Sequence, residues 1–398
     1  MKNLFFRPSR LLISLYVILL ALLFLYSYTQ VDLGLTLTRA SFLTDIQKAF
    51  QYVGYFNRPL STLFYCLIII SLFIFYGLFL SIAKKGNLQK STLWKIIFAV
   101  TAILVFSYTA FTYDLFNYIF DAKILTHYHL NPYMYKALDF PGDKMLSFMH
   151  WTHRTYPYGP IWLFLTVPFS FLGFQIFIPT FFLFKILSGV MYLGTVWAIG
   201  KIMQVVSPKR EVLAIVLFAL NPLVIIESLV SGHNDIAMMF LAMVSILFLV
   251  QKKYVLAFVL LFLSIGVKYA TGFLLPLFIV IYLFEKRHIA IKWPSIFLTF
   301  LVTMILALFA ASLRSTFQPW YLMYLIPIAA LITDEDYIVF PVFILSLMGL
   351  LNYIPYLFTG SWDPPIPMIL FSVNILGGVI AFVTFIWFYQ RRVKSKAA

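Results

Sequence analysis

Apolar stretches long enough to cross the roughly 30 Å hydrocarbon core of a membrane recur along the whole sequence. Hydrophobic residues fill 63% of the 398 positions and charged residues only 11%, which excludes a soluble globular protein of ordinary composition. We predict an all-α fold, a polytopic transmembrane helical bundle that forms a single membrane domain over residues 1–398 without a separate soluble domain. The twelve predicted spans are 11–29, 59–82, 93–112, 176–200, 211–229, 236–250, 254–267, 269–284, 293–313, 320–332, 337–357 and 366–389.

One further apolar run, residues 160–174, is predicted to form an interfacial helix rather than a span, because it is short and contains Pro168. The positive-inside rule supports this choice. With a cytoplasmic N-terminus, nineteen of the twenty-nine basic residues fall in cytoplasmic segments and nine fall outside. We therefore predict a multi-pass plasma-membrane protein with both termini in the cytoplasm.

The net charge of +15 does not indicate a nucleic-acid partner. The basic residues stand in short clusters between apolar runs, which is typical of cytoplasmic membrane loops. Membrane lipid is the partner that this pattern predicts, and no nucleic acid is expected. Cys66 is the single cysteine, which excludes an intrachain disulfide and a thiolate metal cluster.

The longest polar segment, residues 113–160, holds four of the fourteen carboxylates and four of the six histidines. The predicted topology places it on the outer face, together with 230–235, Lys268, 314–320 and 358–365. Charged side chains at membrane depth are costly and are usually functional. We therefore expect the chemistry of this protein at its outer face, in and around the loop 113–160.

Asp114 starts the segment DLFNYIFDAKI, in which Asp114, Asn117, Tyr118 and Asp121 share one helical face. A carboxylate in this position can deprotonate a hydroxyl nucleophile. Aspartate is also a favoured N-cap residue, and the spacing alone leaves both roles open. Asp121 is included as a candidate substrate-binding residue, although a solvated acid is its simpler interpretation.

A second polar cluster lies between two apolar helices in NPLVIIESLVSGHND. It contains Glu227, His233, Asn234 and Asp235, which are costly at this depth unless they pair, bind a ligand or line a cavity. An ordinary polar loop is the alternative. His233 and Asp235 leave room for a divalent metal, but two ligands without a third at fixed spacing are a weak signal, so no metal ligand and no cofactor is assigned.

Cations and aromatic residues accompany these acids on the predicted outer side. Three cations suit a phosphate whose charge must be neutralised, although each can also reach lipid headgroups. The aromatic residues can stack on a sugar ring or form the interfacial belt. The candidates are Lys268, Arg154, Arg314, Tyr156, Tyr158 and Trp320.

Several motifs stand in a recognisable order: YDLFNYIFDAKI, HLNPY at 129–133, YPYGP at 156–160, NPLVIIESLVSGHND, KYATGFLLP and QPWYLMYLIP. This order resembles the integral-membrane glycosyltransferases of the GT-C superfamily, especially the polyprenyl-phosphate-mannose mannosyltransferases, over roughly residues 93–330. The chain departs from that pattern in having two spans before the helix of the catalytic loop. It also has Tyr-Gly within YPYGP where relatives often have consecutive prolines.

The resemblance implies an inverting glycosyltransferase that moves a hexose, with mannose expected, from a polyprenyl-phosphate donor to a hydroxyl of a glycolipid, glycan or protein acceptor at the outer face. Asp114 would be the catalytic base by position. Lys268, with Arg154 or Arg314, would hold the donor phosphate, and the cluster 227–235 would shape the pocket. The alternatives are a structural scaffold and, above all, a secondary transporter or lipid flippase, which would be expected to show internal pseudo-symmetry.

Overall fold

The computed structural model describes residues 8–333 and 335–397, and over these residues the protein is all-helical, with one isolated bridge between Lys136 and Thr155. Lys2 and Arg7, which support the cytoplasmic N-terminus, lie outside the described residues. The helices are α1 (Arg10–Ser27), α2 (Ser41–Gln51), α3 (Arg58–Lys84), α4 (Lys90–Leu104), α5 (Asp114–Thr126), α6 (Pro160–Leu172), α7 (Phe177–Val206), α8 (Glu211–Ala219), α9 (Pro222–Ile225), α10 (Asp235–Val250), α11 (Tyr254–Ile265), α12 (Leu275–Lys286), α13 (Trp293–Arg314), α14 (Ile326–Ala329), α15 (Asp336–Leu351), α16 (Ile354–Thr359) and α17 (Ile366–Ala397).

The all-α prediction is confirmed, but the count of twelve spans is not. Within the described residues, seven helices are long and apolar enough to cross a membrane, or eight if the bent pair α8 and α9 forms one span. Other predicted spans are shorter or broken. The run 320–332 is one example, because Pro319 and Pro327 lie at the starts of two short helical pieces, where the missing amide N–H costs nothing.

The bend between α8 and α9, 57°, places a polar segment inside the bundle. Asn221 starts α9 and caps it with its own side chain. Two tyrosine hydroxyls bond to the last turn of α8: Tyr76 donates to the Leu217 carbonyl at 2.8 Å, and Tyr192 donates to the Ala219 carbonyl at 2.5 Å. Because carbonyls at a helix end lack intrahelical partners, these bonds stabilise the break.

The most buried part of the molecule is the stretch 213–239, in which every residue is buried. It includes the second polar cluster, so these acids lie in the protein interior rather than in an ordinary surface loop. By contrast, α17 is only 11% buried over its apolar window, as expected for a helix that faces lipid.

The start of α6 is fixed against the break between α11 and α12. Gly159 donates its amide N–H to the Val267 carbonyl at 3.1 Å, and Ile161 donates to the Gly266 carbonyl at 2.9 Å. A Cβ atom at Gly159 would lie 2.1 Å from the Gly266 carbonyl oxygen, so the two backbones can approach only with glycine here. This contact explains the glycine of YPYGP. It also positions Lys268, which follows Val267 in the sequence. The interfacial location of α6 stays a prediction.

Candidate active site

Asp114 is the first residue of α5, and its carboxylate remains available to a ligand. The N-cap is Tyr113, and neither it nor Asp114 makes a side-chain capping bond. The amide N–H of Asp114 donates to Thr112 Oγ1 at 3.1 Å. The Asp114 side chain is 18% exposed.

His233 lies between two carboxylates. Its Nδ1 is 2.9 Å from Glu227 Oε2, and its Nε2 is 3.8 Å from Asp114 Oδ2 and 3.3 Å from Thr112 Oγ1. Because an ionised carboxylate can only accept, the Glu227 contact places an N–H on Nδ1, and the nearest partner of Nε2 is then the Thr112 hydroxyl, with Asp114 beyond hydrogen-bond distance. The imidazole is fully buried and stacks on Trp320 with ring centroids 4.1 Å apart.

Glu227 is fully buried in a π-helical turn, Ile226–Val230, that follows α9. Its second oxygen, Oε1, accepts from the Tyr353 hydroxyl at 2.8 Å. Both carboxylate oxygens are therefore bonded, which fixes the orientation of the imidazole on one side. Gly232 allows the following turn, because its φ of +74° lies in the left-handed region that favours glycine.

Asp235 and Lys268 form the second charged pair of the site. Lys268 Nζ is 2.7 Å from Asp235 Oδ2, and it lies 5.4 Å from the centre of the Tyr158 ring. Within the described structure, Asp235 Oδ1 and both polar atoms of the Asn234 side chain have no hydrogen-bond partner, although both residues are fully buried. Leaving a buried polar group unpaired costs about 1–3 kcal/mol, so these atoms indicate a place for a polar ligand.

Asp121 does share the Asp114 side of α5, but it is buried rather than solvated. Its side chain is 8% exposed. Burial, and then the charge of Asp114, raise the pKa of Asp121 well above its usual value. The interpretation as a solvated acid was therefore wrong. Lys123 pairs instead with Asp143 on another side of the helix.

The remaining candidates lie around this group. Tyr156 is buried and donates its hydroxyl to the Gly159 carbonyl at 3.0 Å, so it supports the loop. Arg154 is exposed, and its guanidinium carbon lies 4.4 Å from the centre of the Trp151 ring in the same loop. Arg314 is exposed at the end of α13.

The described residues contain no group of three or more His, Cys, Asp or Glu side chains arranged to hold a metal ion. The two donors that the sequence suggests have other partners, since His233 bonds to Glu227 and Asp235 bonds to Lys268.

Sequence reasoning missed three residues that hold the site together. Tyr353 and Thr112 have no sequence signal, because each is an ordinary hydroxyl residue near the end of an apolar run. Lys185 does have one: it is a charged residue within the apolar first half of the 30-residue helix α7, and such residues are usually functional. It is fully buried and bonds to the segment that carries Glu227.

Fold and site together define a multi-helix membrane protein with a buried, carboxylate-rich polar site that five separate segments build. Residues 27–284 match the family model of the MptA/MptB proteins, described as alpha-(1->6)-mannopyranosyltransferase, N-terminal domain. The chain belongs to this family, and the resemblance to GT-C mannosyltransferases is confirmed.

The alpha-(1->6)-mannopyranosyltransferase A of Corynebacterium glutamicum is a relative with 26% identity over 182 residues. The alignment covers 45% of this chain and 36% of the relative, so the chain spans only about a third of the length of the curated protein that it matches. No solved structure matches this chain significantly.

Proposed function

We propose that the protein is an inverting mannosyltransferase that takes mannose from a polyprenyl-phosphate donor and transfers it to a hydroxyl of a glycan, glycolipid or protein at the outer face of the plasma membrane. The observation that carries the proposal is the partly exposed carboxylate of Asp114, 3.8 Å from a histidine that Glu227 orients. The family and the relative in Corynebacterium support mannose as the sugar.

In the proposed reaction, Asp114 takes the proton of the acceptor hydroxyl while the hydroxyl oxygen forms a bond to the anomeric carbon of mannose. The bond between that carbon and the donor phosphate oxygen breaks, and the phosphate leaves with the electron pair. The proton then rests on Asp114, whose Oδ2 lies 3.8 Å from His233 Nε2.

The second charged pair is the proposed donor site. Lys268 would neutralise the leaving phosphate, with Arg314 at the rim as a second cation. The unpaired atoms of Asn234 and Asp235 would bond to hydroxyls of the sugar, with Trp320 beside them. Lys268 is already paired with Asp235. The donor would therefore bind to this ion pair and not to a free cation, with its phosphate at Lys268 and its sugar at Asp235.

Exposed apolar side chains next to Lys268 support a lipid-linked donor. Tyr269 is 68% exposed, and Leu313 on the neighbouring helix α13 is 89% exposed. A polyprenyl tail can cover such surface in the membrane while the phosphate lies at the ammonium. This placement also suits a site at the membrane surface, and the charge distribution of the loops favours the outer one.

The test uses the purified full chain in lipid nanodiscs with a mannoside acceptor carrying a hydrocarbon tail. Radiolabelled polyprenyl-phosphate-mannose, polyprenyl-phosphate-glucose and GDP-mannose are offered separately. We expect product from the mannosyl lipid, at least about tenfold less from the glucosyl lipid since the binding hydroxyls differ, and none from GDP-mannose. Direct use of GDP-mannose would refute the lipid donor. In liposomes, movement of the labelled lipid across the bilayer without product would indicate a flippase instead.

A further inference from the structure

Lys185 lies in the first half of α7 and is fully buried, yet its ammonium bonds to oxygens that carry no formal charge. It donates to the carbonyls of Leu229 and of Val230, the latter at 2.6 Å, and to Ser107 Oγ at 3.3 Å. A protonated lysine has three N–H donors, and each of them has a partner here. The three acceptors therefore match the charged form of the side chain.

The two carbonyls belong to the end of the π-helical turn that carries Glu227. Carbonyls at the end of a helical turn lack partners within the helix and carry partial negative charge. In a fully buried place, water cannot satisfy them. The ammonium of Lys185 therefore stabilises the position at which the turn ends and the chain leaves toward His233.

The same ammonium also connects this turn to the loop that leads to Asp114. Ser107 lies at the start of that loop, just after α4. Further along the loop, Thr109 Oγ1 donates to the Ser231 carbonyl at 3.1 Å, and Thr112 Oγ1 is 3.3 Å from His233 Nε2. Three contacts thus join the segment that carries Asp114 to the segment that carries His233, and the Lys185 contact is the charged one.

We propose that Lys185 is a positioning residue: it holds the π-helical turn against the loop before α5 and thereby fixes His233 Nε2 opposite Asp114. The effect of this link on turnover rests on the proposed function. The link itself does not, because it can be measured without a reaction.

The first test is amide hydrogen exchange on the full chain in nanodiscs. Lys185→Met removes the three donors but keeps most of the length of the side chain. Lys201→Met is the matched control, since it makes the same change on the same helix at an exposed position. Exchange in residues 226–235 should rise at least about tenfold in Lys185→Met and stay unchanged in the control. Unchanged exchange in Lys185→Met would refute the link.

The second test separates positioning from general stability. Lys185→Met should lower kcat at least about tenfold and leave KM for the mannosyl lipid within about threefold. In a His233→Ala background the same change should cost less than about threefold, because a residue that acts through His233 has nothing left to position. If Lys185→Met lowered kcat by the same factor of about ten in the His233→Ala background, or if it changed only KM, the proposal would be overturned.

If Lys185→Met does not fold, Ser107→Ala removes one of the three acceptors and should raise exchange in 226–235 at least about threefold. No rise in this variant would equally refute the link. If wild-type protein transfers no mannose, the proposed function fails, and the exchange measurement alone decides on Lys185.

Discussion

The carboxylates at the two ends of α5 are bonded in opposite ways. Asp143 packs against the C-terminal half of the helix with its side chain 2% exposed, and its oxygens accept from Lys123, from the Tyr128 hydroxyl at 2.7 Å and from the Met145 amide at 2.9 Å. Asp114, at the other end, is 18% exposed and faces an imidazole at 3.8 Å. A carboxylate whose two oxygens both accept hydrogen bonds from the protein serves structure, whereas one without such bonds can accept a proton from a substrate.

The largest expected effect is the contrast between two isosteric changes. Asp114→Asn should lower kcat by about 10³-fold or more, because removing a general base costs about 10²–10⁴ in rate. Asp143→Asn should leave kcat within about threefold, since its lone pairs serve structure. The measurement is steady-state mannose transfer by both variants in the same nanodiscs. Equal losses in the two variants would remove the distinction between the two ends of α5.

Glu227→Gln tests whether the orientation of His233 contributes to the chemistry. The amide oxygen can still accept from Tyr353, but the charge that holds the proton on Nδ1 is lost. We expect kcat to fall by about 10- to 100-fold, as for other partners that orient a functional histidine, with KM for the donor little changed. Tyr353→Phe is the control, since it removes one bond to Glu227 but keeps its charge, and it should cost less. A larger loss in Tyr353→Phe would contradict this role of the charge.

Asp143→Asn should lower the stability of the protein, whereas Asp114→Asn should not. Hydrogen bonds to charged groups contribute about 1.5–3 kcal/mol, so losing the charge of Asp143 should lower the free energy of unfolding by about that amount. Asp114→Asn should change it by about 0.5 kcal/mol or less, as a surface substitution does. Denaturant titration in mild detergent measures the free energy of unfolding of both variants. If Asp114→Asn destabilises the protein more than Asp143→Asn does, the structural role belongs to Asp114 and not to Asp143.

The smallest expected effect is a pH dependence. Burial alone would raise the pKa of Asp143, but its bonds to Lys123, Met145 and Tyr128 outweigh burial and lower it. A lowered pKa in the folded state stabilises the fold above the unfolded pKa of about 3.9, and this contribution disappears as pH falls through the folded pKa.

The matching measurement compares the stability of wild type and Asp143→Asn between pH 6 and pH 3. The difference between them should be constant near pH 6 and shrink below about pH 4. Asp121 acts with the opposite sign, because its pKa is raised, but it is present in both proteins and cancels in the difference. A difference that grows in acid would contradict the assigned bonds of Asp143.

Local sequence patterns predicted the helical character of the chain. The helix that begins at Asp114 agrees with the spacing of Asp114, Asn117, Tyr118 and Asp121, whereas the run 93–112 is helical only to Leu104. The prediction that the polar cluster 227–235 pairs or binds is consistent with the bonds of Glu227 and His233. The spans were harder to count, because a break such as the 57° bend between α8 and α9 leaves the hydropathy of the run unchanged.

Contacts between distant segments could not be read from the sequence. Lys268 is 33 residues from its partner Asp235, and Tyr353 is 126 residues from Glu227. Nothing local to either residue specifies such a partner, since it depends on how the helices pack. Arg154, a candidate phosphate ligand in the sequence, packs over Trp151 in its own loop.

The central claim, that Asp114 acts as a base in a single displacement, is tested most directly by the anomeric configuration of the product. The wild-type protein in nanodiscs is given ¹³C-labelled polyprenyl-phosphate-mannose of known configuration, and the product of one turnover is examined by NMR. With Asp114 as the base, the product should have the opposite configuration. Retention of configuration would contradict it, because a covalent mannosyl intermediate would then make a carboxylate the nucleophile and not the base.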